Sequence, residues 1–291
     1  MPVTKCIVTL LVLCLSSPVH CRRPANAARA QTETSARRRS RPTPSGGTLQ
    51  ELKRRVLKAL ERSTSFIASQ QGLLRYEAAV AIRLAYASSG VEQLEKLLPL
   101  ADRIAASDPD NPQRRFFSSE FEADRRSIQG WVPPERGRMN TNRPIIEALW
   151  CDRYPMRRDT LLYIGGNMRD GGSYGSTHAL WALILARQKG CIDEQTFRRL
   201  SGPIVDELVS AQPRLCPAGA TGLDIYAERA LFLALAGYKK QHHHWLNQIL
   251  KRQSADGGFG LPQGKNQYYV RIHATLVATW YMAEWLGIYG R

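Results

Sequence analysis

Two stretches of the chain carry one motif, 86 residues apart: Asp170-Gly171-Gly172-Ser173-Tyr174-Gly175 running into His178-Ala179, and Asp256-Gly257-Gly258-Phe259-Gly260 running into His273-Ala274. Each precedes an apolar, alanine-rich stretch. A glycine pair after an aspartate suits a tight turn that needs positive φ, so the motif delivers a helix and its first side chains to an equivalent place twice. The separation accommodates two helical hairpins of roughly 43 residues each, a span typical of helical repeats. Alanine favours helix and takes little volume, which lets inner helices crowd around an axis. The fold expected is therefore all-α: an α/α toroid or partial toroid of helical hairpins around a central cavity.

The rest of the chain fits that alternation. Leu52, Val56, Leu60, Thr64 and Ile67 recur at spacings of three and four, which predicts an amphipathic helix ending near Gly72. The stretch 73–88 is apolar and 91–107 amphipathic again. After residue 160, apolar segments at 178–189, 223–238 and 272–286 alternate with amphipathic ones at 193–209 and 242–253, as an inner ring inside an outer ring would require. Residues 108–160 break the pattern, with six prolines and one short helix at 145–151. They are expected to form an irregular excursion or a lid.

At the N-terminus, a basic start, the apolar run Cys6 to Ser17 and a break at Pro18 have the layout of a secretory signal covering residues 1–21. The run is shorter than the roughly 20 residues of a membrane helix, and no longer apolar run follows, so no transmembrane segment is expected. Residues 22–50 hold seven arginines against Glu33, with Pro42, Pro44, Gly46 and Gly47, and read as a disordered basic linker ahead of a single domain at 51–291. With a net charge of +16, this basic run could attract an anionic glycan or anionic lipid headgroups; a solvated tail or pro-segment is the favoured alternative. Nucleic acid is not expected, because no aromatic residue interrupts the run to stack on bases.

Removing the signal leaves Cys151, Cys191 and Cys216. Three is odd, so one bridge and one free or intermolecular thiol are expected, and the latter allows a homodimer. Cys191 and Cys216 flank a helix roughly 27 Å long at 1.5 Å per residue, which leaves Cys151 with either of the others. No two-residue cysteine spacing marks a zinc or redox site. Consecutive His242, His243 and His244 point about 100° apart on a helix and cannot close on one ion; they read as a polar helix start. Neither a cofactor nor a motif-defined metal site is expected.

The turn motif, with a helix beginning at His, resembles turns in the toroids of protein prenyltransferases and triterpene cyclases, although their aspartate-rich motif and a zinc trio are missing here. Arg55 to Arg62, Ser176-Thr177-His178-Ala179-Leu180 leading to Gly190-Cys191, and Asp224-Ile225-Tyr226-Ala227-Glu228 before Gly237-Tyr238 are similar to the chromosome 16 open reading frame 89 family. That resemblance runs in patches from about residue 51 to 291. It implies a secreted, helical, self-associating protein with no assigned activity.

If the inner helices present their N-termini to one mouth, His178, Asp224, Glu228 and His273 converge there. Asp224 and Glu228 are four apart and share a helix face, so two carboxylates and two imidazoles could act as general acid and base, or hold a divalent ion. The bland alternative is helix capping and buried hydrogen bonding. Tyr174, Trp181, Trp280 and Glu284 complete a candidate binding wall, since Trp181 shares a face with His178, and Trp280 and Glu284 with His273. Aromatic faces beside carboxylates suit sugar recognition; plain core packing is the alternative. Tyr174 and Phe259, equivalent in the two turns, are expected to plug them. Two functions follow: a secreted binding or self-associating protein, or a carbohydrate-active hydrolase or lyase using the cavity residues.

Overall fold

In a computed structural model, the described residues are 46–118, 121, 128, 141–261 and 267–290. Among them the chain is helical, with only two isolated bridges, Gly219 to Leu261 and Gln253 to Phe259. The expected signal and most of the expected linker lie outside the described residues. The helical unit begins earlier than expected, because α1 spans Gly46–Ser69 and takes 46–50 from the linker.

α1 is followed by α2 (Tyr76–Ser89), α3 (Glu92–Glu95) and α4 (Leu98–Ala106). The amphipathic stretch expected as one helix at 91–107 is thus two. Pro99 sits in the first turn of α4, where its missing N–H costs nothing but its ring blocks continuation from α3. Next come a 3-10 segment, Pro112–Phe116, then α5 (Arg143–Leu149) and α6 (Arg158–Leu162). The remaining helices are α7 (Tyr174–Gln188), α8 (Glu194–Ala211), α9 (Ala220–Leu235), α10 (His242–Leu250) and α11 (Gln267–Tyr289).

The apolar helices pack on one another in a series: α5 on α7, α7 on α9, α9 on α11, and α11 on α2. The Pro112–Phe116 segment touches both α5 and α2. α9 lies at the centre of this series and buries eleven of its sixteen residues, which explains why its sequence is apolar all round. The amphipathic helices lie outside: α8 on α7 and α9, α10 on α9, α11 and α1, and α4 on α2. Inner helices of small residues inside outer helices with one polar face match the alternation read from the sequence.

The described part of 108–160 carries the short helix expected there, and that helix packs into the molecule. α5 buries Pro144, Ile145, Ile146, Ala148 and Leu149, and Trp150 beside them is buried, with its Nε1 donating to the Pro112 carbonyl at 3.1 Å. Cys151 and Cys191 are placed as a disulfide, with α-carbons 6.0 Å apart. Residues 145–151 are therefore part of the core. The third thiol, Cys216, is buried, and burial pushes it up to about 12.

The two glycine turns are held by their aspartates. Asp170 accepts from the backbone N–H groups of Ser173 (2.9 Å) and Gly175 (2.9 Å), fixing the start of α7. Asp256 accepts from the Gly258 backbone N–H at 3.2 Å and also takes two hydrogen bonds from the Arg271 guanidinium, at 2.9 and 2.6 Å, locking the second turn to α11. Gly257, at φ +92°, lies against the Arg62 carbonyl of α1 where no β-carbon fits. Phe259 is fully buried and plugs its turn as expected.

Candidate functional site

The leading ends of four inner helices lie side by side. Tyr269 in the first turn of α11 hydrogen-bonds Glu77 in the first turn of α2, and one turn on, the His273 Nδ1 is 2.8 Å from Asp224 Oδ1 on α9. From α7, the Tyr174 hydroxyl donates to Asp224 Oδ2 at 2.5 Å. The Thr177 hydroxyl donates to Glu228 Oε2 at 2.6 Å, and the His178 Nε2 lies 3.8 Å from Glu228 Oε1. His178, Asp224, Glu228 and His273 thus meet, and Tyr174 joins them. Tyr174 does not plug its turn as Phe259 does; its hydroxyl reaches across to the α9 carboxylate.

Each imidazole has its own carboxylate. Asp224 and Glu228 are one turn apart on α9, so the two carboxylates face the same neighbours. Both carboxylate side chains are nearly inaccessible, while His273 keeps 30% of its exposure and His178 keeps 15%. The histidines are therefore the edge of the cluster that meets solvent. With Nδ1 of His273 committed to Asp224, Nε2 is the nitrogen left for a ligand. At His178 the Nε2 faces Glu228, and Nδ1 is buried with no hydrogen-bond partner among the described residues.

Burial and this charge constellation move the protons. Burial disfavours the His273 imidazolium, but the charge and hydrogen bond of Asp224, with further charge from Glu228 and Glu77, outweigh it and raise His273 to about 10. Burial, aided by the charge of Glu228, pushes the Asp224 carboxyl up against the pull of His273 and Tyr174. Glu228 is also disfavoured by burial, yet its contacts with His178, the charge of His273 and the Thr177 hydroxyl bring it below the ordinary glutamate range. Two carboxylates on one helix face are thus driven in opposite directions, the pattern that divides acid from base roles in proton-transfer sites.

Asp224, Glu228 and His273 each offer one donor atom within 4.8 Å of the others, a mixed oxygen and nitrogen set of the kind divalent ions accept. Elsewhere the histidine run behaves differently from expectation. His242 is buried between Trp245, Tyr281 and Tyr289, so the start of α10 is not uniformly polar.

Beneath the ionisable layer lies an aromatic one. The Trp181 ring stacks on Phe116 at 5.8 Å and on Phe232 at 5.2 Å, and meets Trp280 edge-on at 5.7 Å. Trp280 is buried and also meets Phe232 edge-on. These rings are spent on one another, which is the core role weighed against sugar stacking. Glu284 lies one turn beyond Trp280, and no contact among the described residues ties it to the cluster. Sequence reasoning missed Thr177; a hydroxyl directly before His178, at the start of a helix facing α9, was the available signal.

No family model, curated protein or solved structure matches the chain.

Proposed function

We propose that the cluster is a proton-transfer site and that the protein is a carbohydrate-active enzyme of the eliminating kind, acting on uronate-containing chains. One observation carries this reading: each of two imidazoles at the open edge is matched with its own buried carboxylate on a single face of α9. Burying two carboxylates costs stability that apolar residues of similar size would not, so a set of this kind is maintained for chemistry more readily than for packing. In this scheme His178 accepts the proton from the carbon beside the sugar carboxylate through Nε2, the nitrogen on the side of Glu228. The freed electron pair forms the new C=C bond, and the glycosidic oxygen departs with a proton from His273. Tyr174 and Asp224 orient His273, while Thr177 and Glu228 orient His178.

Hydrolysis by a carboxylate pair is less well supported. Those enzymes place a sugar between two carboxyl groups about 5 Å or more apart, whereas Asp224 and Glu228 project from one helix face and are already hydrogen-bonded. The reading includes a partial ring of inner helices, supported by the series of packing contacts from α5 to α2 and the segment that touches both. It also includes an extracellular setting, supported by the N-terminal sequence and by the resemblance to the chromosome 16 open reading frame 89 family.

The test is ultraviolet detection of unsaturated products from a panel of uronate polysaccharides. His178→Ala and His273→Ala should each lower turnover at least about 100-fold with unchanged circular dichroism. Saturable binding of the same polysaccharides without product would move the protein to the non-catalytic binding alternative, and a double variant as active as the parent would place the chemistry elsewhere.

A further inference from the structure

The ionisable cluster presents its donor atoms at separations that suit a metal ion. Two hydroxyls from α7 hold one oxygen of each carboxylate, Tyr174 on Asp224 Oδ2 at 2.5 Å and Thr177 on Glu228 Oε2 at 2.6 Å. The other oxygen of each is turned to an imidazole: Asp224 Oδ1 to His273 Nδ1 at 2.8 Å, and Glu228 Oε1 to His178 Nε2 at 3.8 Å. Outer partners that fix one oxygen and present the other are how carboxylate ligands of metals are oriented. Asp224, Glu228 and His273 each place one donor within 4.8 Å of the other two.

His178 supplies a second, independent observation. Its 3.8 Å separation from Glu228 is too long for a hydrogen bond. Two donors each about 2.0–2.2 Å from one zinc ion stand about 3–4 Å apart, so the gap is of the size that a shared ion requires. Charge agrees with this geometry. Asp224 and Glu228 are buried, and a dication balances both carboxylates while the imidazoles stay neutral, the form in which they bind metals. His273, 30% exposed, opens the cluster to solvent. Two oxygens and two imidazole nitrogens favour zinc over calcium or magnesium, which take oxygen ligands.

We propose that the cluster binds one zinc ion through Asp224, Glu228, His273 and His178, and that the ion switches the site off. The switch rests on the proton-transfer reading of these residues; the binding does not. Zinc takes His178 Nε2, the nitrogen that accepts the substrate proton, and His273 Nδ1, whose bond to Asp224 orients the acid. The proton between His273 and Asp224 leaves to solvent. Four protein ligands complete a tetrahedral shell and leave no position for substrate.

Calorimetric titration of the untagged, chelator-stripped chain with zinc, calcium and magnesium tests the site, and cobalt(II) reports its geometry. Zinc should bind one to one and at least about 100-fold tighter than calcium or magnesium. Cobalt should give the intense visible absorption of a four-coordinate ion, a signature read on the parent chain without any variant. Asp224→Asn, Glu228→Gln and His273→Gln should each weaken zinc at least about tenfold, with unchanged circular dichroism. His244→Ala, in the exposed part of the histidine run, should leave zinc binding unchanged. On uronate polysaccharides, turnover should fall in step with zinc occupancy and return with chelator. No saturable zinc binding, a weak six-coordinate cobalt spectrum, or folded variants with parental affinity would overturn the site, whatever the chain's activity. Elimination that persists at full occupancy would overturn the switch. Tight zinc binding by a chain without eliminating activity would uphold the site and sink the switch together with the activity on which it rests.

Discussion

His242 and His273 are both enclosed by helices, yet their surroundings move their protons in opposite directions. Burial among rings pushes His242 down to about 4, and neither of its nitrogens has a well-formed hydrogen bond. The unfolded chain, with its histidines near 6.5, binds that proton more readily, so stability should fall as pH drops from about 6.5 to 4, by on the order of 3 kcal/mol. His242→Phe should flatten this acid limb in urea titrations followed across pH. His273, raised to about 10, has the other sign: its contribution is complete below about 6.5 and is lost as pH rises through 10. His273→Gln should therefore flatten the alkaline limb. An unchanged pH profile in either variant would contradict the environment described for that ring.

At the scale of elements, the disulfide joins the end of α5 to the end of α7 across 40 residues. Cys151→Ser or Cys191→Ser should lower stability by about 3–4 kcal/mol if chain entropy dominates, measurable as a fall in the urea midpoint. Gly257→Ala, at positive φ against the α1 carbonyl, should cost at least about 1 kcal/mol and loosen α1 from the second turn. The apolar helices α7, α9 and α11 were legible in the sequence because they are buried on nearly every side, so no polar stripe obscures them. The convergence of His178, Asp224, Glu228 and His273 was legible because His178, Asp224 and His273 each stand in the second turn of their helix and Glu228 follows Asp224 one turn later on the same face. What a linear pattern could not give were the cross-helix partners. The Tyr174 hydroxyl reaches α9 from the first residue of α7, whereas Phe259 precedes α11 by eight residues, although the two align in the motif. Trp181 shares a face with His178, but its stacking on Phe116 comes from a segment 65 residues earlier that carries no periodic signal.

At the scale of the whole molecule, the odd cysteine was the basis for a covalent dimer. Burial of Cys216 removes that route, so size exclusion should give the same elution volume with and without reductant, and non-reducing electrophoresis should give one monomer band. A reductant-sensitive dimer would mean that the loop before α9 opens in solution. The helical series also starts and finishes in one place: Lys53, two turns into α1, hydrogen-bonds the Gly290 carbonyl just beyond α11. A short glycine-serine link could therefore join residue 290 to residue 46, and the chain could be reopened at the exposed Leu215 between α8 and α9. Such a circular permutant should retain the parental helix content, since the order in which the rods are synthesised would change while their neighbours would not.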